Sequence, residues 1–200
     1  MVTIWHFQGL GGDNKKTRSL CAALADELRA KADCKIIMKQ KVVDIADMAL
    51  SDSEAEILIT YSLGSCLGVT AFDPQIGIGG MIHSMLPVAQ LDPEKAKRSP
   101  AMFVDTGVPA LFNRLFNAGA RKQNLMVTLT GAARVLKGYG KFRIGERNLE
   151  VCQNILSKNG IPVCVNDTGG EESRTIALNV RNGIFTIRCG GKDTVYELSS

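Results

Sequence analysis

Residues 59–87 read ITYSLGSCLGVTAFDPQIGIGGMIHSMLP, and the fold turns on how this stretch doubles back. Ile57 to Tyr61 is a short apolar run with strand character, and Val69 to Phe72 is another. Gly64 and Gly68 punctuate the segment between them, around Ser65 and Cys66. Asp73-Pro74 closes the second run with a turn signal. Ile78 to Leu86 resumes after Gly77 as a third strand, and Pro87 stops it. A chain that turns at Asp73-Pro74 brings its next strand back along the previous one, so His83 is expected to return beside Cys66.

Working downstream, VAQLDPEKAKRSPAM at 88–102 reads as an exposed loop. A helix follows from Asp105 or Thr106, either of which suits an N-cap, with Val108, Leu111, Phe112, Leu115 and Phe116 on the buried face and Gly119 as its stop. Leu125 to Leu129 reads as a strand. A second helix is expected over Glu146 to Lys158, with Leu149, Cys152, Ile155 and Leu156 inward and Gly160 ending it. Ile161 to Val165 is a further strand. Thr175 to Val180 and Ile184 to Arg188 flank Asn182-Gly183, the residue pair that a type I′ hairpin turn prefers. Upstream, Leu20, Leu24 and Leu28 share one face of an amphipathic helix over 17–33, after a loop marked by Gly9, Gly11 and Gly12. The sum is an α+β fold: a packed mixed or antiparallel β core flanked by about three helices.

The 200 residues suit one domain with an ordinary core, and 45% of them are hydrophobic. Residues 1–37 read as an N-terminal extension and 38–200 as the domain proper, with Met38 a candidate start of translation. No apolar run reaches the roughly 20 residues of a membrane span, and the first residues lack the pattern of a secretory signal. The expectation is a cytoplasmic protein without membrane insertion. The net charge is +4, and its basic clusters are short: Lys15-Lys16, Lys95 to Arg98, Arg121-Lys122. With no basic stripe interleaved with aromatics, nucleic-acid binding is not expected. Cysteines stand at 21, 34, 66, 152, 164 and 189, none in a C-x-x-C pair, so neither a zinc ribbon nor a redox pair is indicated. They read as free thiols, most of them small buried hydrophobes.

Only two histidines exist, His6 and His83. His6 lies in the extension and reads as a partly buried structural residue. On spacing alone His83, among Met81, Ile82, Met85 and Leu86, reads as a core residue too. Cys66 shifts that balance. A glycine-flanked turn directly after a strand holds a nucleophile at the surface and leaves backbone N–H groups free for an oxyanion. A thiol with an ordinary pKa near 8.5 needs a neighbouring base, and a histidine within hydrogen-bond reach serves. Thr60 or Ser62 offers a hydroxyl to orient that histidine. This geometry asks for a Cys66 sulfur within about 4 Å of one ring nitrogen, with the other nitrogen facing Thr60.

The 59–87 stretch resembles the signature of the CheD family, the chemoreceptor glutamine deamidases. The likeness includes a threonine six residues before the cysteine, the Gly-Ser-Cys turn, the Asp-Pro turn, the Gly-Gly pair, and the histidine seventeen residues after the cysteine. FVDT at 103–106, GAR at 119–121, TGAA at 130–133, IGERN at 144–148 and DTGGEESR at 167–174 extend it over roughly residues 36–190. Thr130 and Ser173 stand where glycine is usual in that family. The resemblance implies Cys66 as nucleophile, His83 as general base and Thr60 as its orienting group. Gly64, Ser65, Gly79 and Gly80 would form the oxyanion and substrate loop. It implies hydrolysis of receptor glutamine side chains through a thioester, with no metal or organic cofactor. It also implies two partners, methyl-accepting chemotaxis receptors and a CheC-type phosphatase. A non-catalytic adaptor with the same partners is the alternative, and a redox-sensing thiol protein would need Cys66 without His83. Within those downstream strings the residues themselves read as structural: Asp105 as a helix cap, Gly169-Gly170 as a turn, and Asp167 with Arg174 as a fold-holding ion pair ahead of a pair facing a partner.

Because the resemblance begins near Met38, a chain starting at that residue is expected to fold and keep its activity. A melting-temperature comparison with the full-length chain checks this, and a large drop would make residues 1–37 an integral part of the core.

Overall fold

The computed structural model describes residues 38–134 and 143–199. The expected 17–33 helix, the glycine loop before it, His6, Cys21 and Cys34 lie outside the described residues. Within them the chain forms two five-stranded mixed sheets and three α-helices, as the α+β reading requires.

The ten strands are β1 (Lys39–Val42), β2 (Asp47–Ser51), β3 (Glu56–Leu63), β4 (Leu67–Asp73), β5 (Ile78–Ser84), β6 (Met126–Gly131), β7 (Val163–Thr168), β8 (Arg174–Asn179), β9 (Ile184–Cys189) and β10 (Lys192–Glu197). The helices are α1 (Pro93–Arg98), α2 (Val104–Asn117) and α3 (Ile144–Lys158). One sheet runs β1-β3-β8-β9-β10 and the other β2-β5-β4-β6-β7. Each is antiparallel except for one parallel pair, β1 with β3 and β6 with β7.

Side-chain alternation sorts the core into two layers. Leu58, Ile176, Leu178, Phe185 and Ile187 of the first sheet meet Phe72 and Met81 of the second. The opposite face of the second sheet, with Val69, Ala71, Ile82, Val127 and Leu129, packs under Val108, Leu111 and Leu115 of α2 and Cys152 and Leu156 of α3. Strands β4 and β5 are therefore buried on both faces at every residue. Strands β8 and β9 instead largely alternate buried with half-buried, as expected where one face of an antiparallel sheet meets solvent.

The Asp73-Pro74 turn forms as expected, and the Asp73 carboxylate fixes it. It accepts from the N–H of Gln75 at 3.0 Å and from the N–H of Arg121 at 2.9 Å, pinning the turn to the loop after α2. Gly119 follows the end of α2 with φ of 100°, and Gly160 follows α3 with φ of 58°.

Several local expectations are corrected. The 88–102 loop holds the short helix α1, capped by Asp92, whose side chain accepts from the Lys95 N–H. Asp105 is not a cap. It lies in the first turn of α2, and its carboxylate accepts from the Ala89 N–H at 2.9 Å, tying down the preceding loop. The 182–183 turn is not type I′, since Gly183 has φ of 69° but Asn182 is not left-handed. The loop is longer, with Gly183 N–H donating to the Asn179 carbonyl and the Asn182 side chain accepting from Ile184 N–H. Strands β1, β2 and β10 lie at or near sheet edges and were too polar to stand out by periodicity.

Phe185 has no exposed surface and fills the space between the sheets. Phe185→Ala is expected to lower the unfolding free energy by about 3–5 kcal/mol, read by urea denaturation.

Candidate active site

Strand β3 is buried from Leu58 to Thr60 and turns outward just after it. Leu58 and Thr60 are fully buried, Tyr61 and Ser62 are both exposed, and Leu63 is buried again. Two outward residues in succession make a bulge, and the register with β8 shifts between Thr60 and Leu63. Ser62 carries the bulge at φ of 57°, pointing outward, so it does not orient the histidine. The chain then leaves the first sheet, turns through Gly64, Ser65 and Cys66, and enters the second sheet at Leu67. Cys66 thus sits half-buried on the arch between the sheets, as a free thiol.

His83 lies on β5 opposite Gly68 of β4 and Asp47 of β2. The residue facing it from β4 is therefore two positions after Cys66. A side chain at 68 would crowd the inter-sheet space, since a Cβ there would stand 2.7 Å from Leu63 Cδ1. Thr60 Oγ1 and His83 Nδ1 are 2.8 Å apart, and both residues are fully buried. This hydrogen bond joins the two sheets.

Burial pushes the His83 pKa down to about 4, with Asp44 opposing in part. The ring is therefore neutral at pH 7. In the tautomer with its proton on Nδ1, the ring donates to Thr60 Oγ1 and Nε2 keeps a lone pair. Nε2 is buried and has no hydrogen-bond partner among the described residues. The thiol–imidazole hydrogen bond expected from the sequence is thus not formed in this state. Burial also raises the Cys66 pKa, with the residue's own N–H acting the other way. The site holds a neutral thiol and a neutral imidazole, not an ion pair.

The carbonyls of the turn are all engaged on one side. Gly64 O accepts from Ala133 N–H at 2.8 Å and Cys66 O from Ala132 N–H at 2.7 Å. Ser65 O accepts from Asn148 Nδ2 at 3.0 Å. A trans peptide directs its N–H opposite its carbonyl, so the N–H groups of Ser65 and Cys66 face the other way. No hydrogen bond to another described residue engages either of them. Gly131 makes the approach possible: it has φ of 99°, and a Cβ there would lie 2.5 Å from Cys66 O.

A family model described as CheD chemotactic sensory transduction matches residues 85–189. The chain is 38% identical over 154 residues to a Syntrophus aciditrophicus protein named "Probable chemoreceptor glutamine deamidase CheD 1", covering 77% of this chain and 96% of that one. This chain belongs to the CheD family. A Solibacter usitatus protein of the corresponding name is 37% identical over 155 residues, covering 78% and 92%. A Pyrococcus horikoshii relative, again so named, is 36% identical over 76% of this chain and 93% of its own. Among solved structures, a Neisseria meningitidis DUF152 protein aligns at a TM-score of 0.42 with 12% identity, over 79% of this chain and 70% of that one; the fold described above rests on the strands themselves.

In this CheD chain the structure brings Thr60, Gly64, Ser65, Cys66 and His83 to one end of the sheet sandwich. It does not bring Gly79 and Gly80 into a loop there. Both are buried within β5, where a Cβ would stand 2.7 Å from Leu178 Cδ2 and 2.9 Å from Leu111 Cδ1 respectively. They are spacing residues between layers. Arg174 is buried and bonds the Asp167 carboxylate at 3.0 Å and the Glu172 carbonyl at 2.8 Å, an ion pair that shapes the loop beside the turn. Gly169 and Gly170 make that loop's turn, each with positive φ. Asn148 and the Ala132-Ala133 amides went unremarked in the sequence as site residues. The IGERN and TGAA strings contain them, but nothing in those strings says which atoms reach the turn.

A buried neutral histidine also makes stability depend on pH. The folded pKa lies below the ordinary 6.5, so the unfolded chain binds the proton more tightly. The contribution is complete above about pH 6.5 and is lost as the pH falls toward 4, on the order of 3 kcal/mol in all. The melting temperature is expected to drop through this window, and His83→Asn should flatten that dependence.

Proposed function

We propose that this CheD chain hydrolyses glutamine side-chain amides of chemoreceptors to glutamate, with Cys66 as nucleophile and His83 as base. The observation that carries the reading is the Thr60–His83 hydrogen bond, which leaves Nε2 without a partner among the described residues, on a residue paired with Gly68, two positions after Cys66. The names of the relatives support the substrate class.

In this reading the reaction starts from a neutral pair. His83 Nε2 takes the Cys66 proton as sulfur attacks the amide carbon. The amide oxygen becomes an oxyanion, held by the N–H groups of Ser65 and Cys66. The C–N bond breaks as the imidazolium passes its proton to the departing nitrogen, which leaves as ammonia. Water, deprotonated by His83, then attacks the thioester. The C–S bond breaks, the proton returns to sulfur, and glutamate is released. Throughout, Thr60 holds the ring at Nδ1 and accepts the hydrogen bond that strengthens when the ring is charged.

The wider setting follows from the family likeness. The substrates are methyl-accepting receptors, the site of action is the cytoplasm, and a CheC-type phosphatase is the second partner. No helix of the described residues is long and apolar enough to cross a membrane. Residues 1–37 are taken as an extension to the catalytic domain.

Mass spectrometry of receptor peptides after incubation tests the proposal directly, since conversion adds about one mass unit at a glutamine. Cys66→Ala should abolish conversion with the fold intact. His83→Ala should cost about 10²–10⁴-fold, the usual contribution of a general base. Thr60→Ala should cost roughly tenfold, the kinetic equivalent of one hydrogen bond. Conversion by the Cys66→Ala protein would sink the reading, and receptor binding without any conversion would make the chain an adaptor.

A further inference from the structure

Asn148 is fully buried on α3, yet it acts outside its own helix. Its Nδ2 donates to Ser65 O and to Met85 O, each at 3.0 Å. The first carbonyl belongs to the residue before the nucleophile. The second lies two residues beyond His83. Both Nδ2 protons are consumed by carbonyl acceptors, so the amide has only one workable orientation; turned over, its oxygen would face two other oxygens. Oδ1 is buried and has no partner among the described residues. A buried amide that leaves its own oxygen unpaired is costly, and packing alone would be better served by leucine.

The helix is brought close enough by Gly145, one turn earlier on the same face. A Cβ there would stand 2.5 Å from the Ala132 carbonyl oxygen, so α3 packs backbone to backbone against the segment that holds the turn.

We infer that Asn148 is a positioning residue for the reaction, aiming the Cys66 N–H at the oxyanion. The reason is the planarity of the Ser65–Cys66 peptide. Pinning Ser65 O toward α3 directs the N–H of the same peptide to the opposite side. That N–H belongs to the nucleophile itself. The two flanking peptides are pinned by main-chain donors of Ala133 and Ala132. The middle one is pinned by a side chain, and it alone is open to mutation. This inference rests on the Cys66–His83 reading above and adds the element that orients its oxyanion donor.

The experiment pairs turnover with a reaction that has no oxyanion. Iodoacetamide alkylation forms a C–S bond at Cys66 and expels iodide, so it needs the thiol but not the aimed N–H. Asn148→Ala and Asn148→Ser should lower kcat for a receptor peptide by roughly 10²-fold, the scale of one oxyanion donor, with KM little changed. Cys66 alkylation should stay near the wild-type rate. Leu156→Ala, on the same helix but away from the turn, should lower the melting temperature and spare kcat. Wild-type kcat in folded Asn148 variants overturns the inference. So does alkylation that falls in step with kcat, or a Leu156→Ala protein that reproduces the loss. In the unaltered protein both Asn148 side-chain amide protons should exchange slowly by NMR, and rapid exchange overturns the inference even if no variant folds. If Cys66→Ala still converts glutamine, the underlying reading fails and this one falls with it. If conversion needs Cys66 but not Asn148, only this one falls.

Discussion

The hydrogen bond between Thr60 Oγ1 and His83 Nδ1 is the constraint on which the rest of the site depends. It is a polar contact placed in the apolar space between two sheets. Burying an imidazole there is unfavourable unless it is paired, and burying it charged is worse. The pairing uses one ring nitrogen, the burial keeps the ring neutral, and the other nitrogen has no partner among the described residues. The ring is held neutral at the place where the chain crosses from one sheet to the other.

This electrostatic setting differs from the one that cysteine and histidine together first suggest. A thiolate–imidazolium pair needs both charges stabilised, and here burial acts against both. The thiol and the imidazole are both neutral, and in the proposed reaction they would separate charge only as the thiol attacks. A neutral Cys66 thiol is protected from unwanted chemistry, because the thiolate is the reactive form. In the proposed reaction, a substrate amide would place its oxygen at the Ser65 and Cys66 N–H groups, which have no partner in another described residue.

The glycines of the signature stretch have different physical duties that sequence alone does not separate. Gly68 leaves room for Leu63 and Ile176 from the other sheet. Gly79 and Gly80 admit Leu178 on one face of β5 and Leu111 on the other. Gly131 permits both a left-handed backbone and contact with the Cys66 carbonyl. Packing density explains this distribution: β4 and β5 are pressed from both sides, so a methyl group at several positions would force the layers apart. The turn that carries Cys66 is held in place because the layers beneath it are close.

The residues by themselves were enough for much of this. Alternating and continuous apolar runs, the Asp73-Pro74 turn and the glycine stops indicated most strands and both longer helices, because burial imposes those periods directly. The Thr60–His83 pairing could be anticipated, since the two lie within 24 consecutive positions on strands joined through one intervening strand, the Cys66 arch and the Asp73-Pro74 turn. The polar strands β1, β2 and β10 were not legible, because their pairing comes from neighbours distant in sequence and not from their own pattern. The turn type at 182–183, the roles of Gly79, Gly80 and Asp105, and the absence of a thiol–imidazole bond were likewise decided in three dimensions. Asn148 is the clearest case. Its side chain reaches a turn 83 residues earlier in the chain, and only the packing of α3 against the second sheet tells which carbonyl it finds.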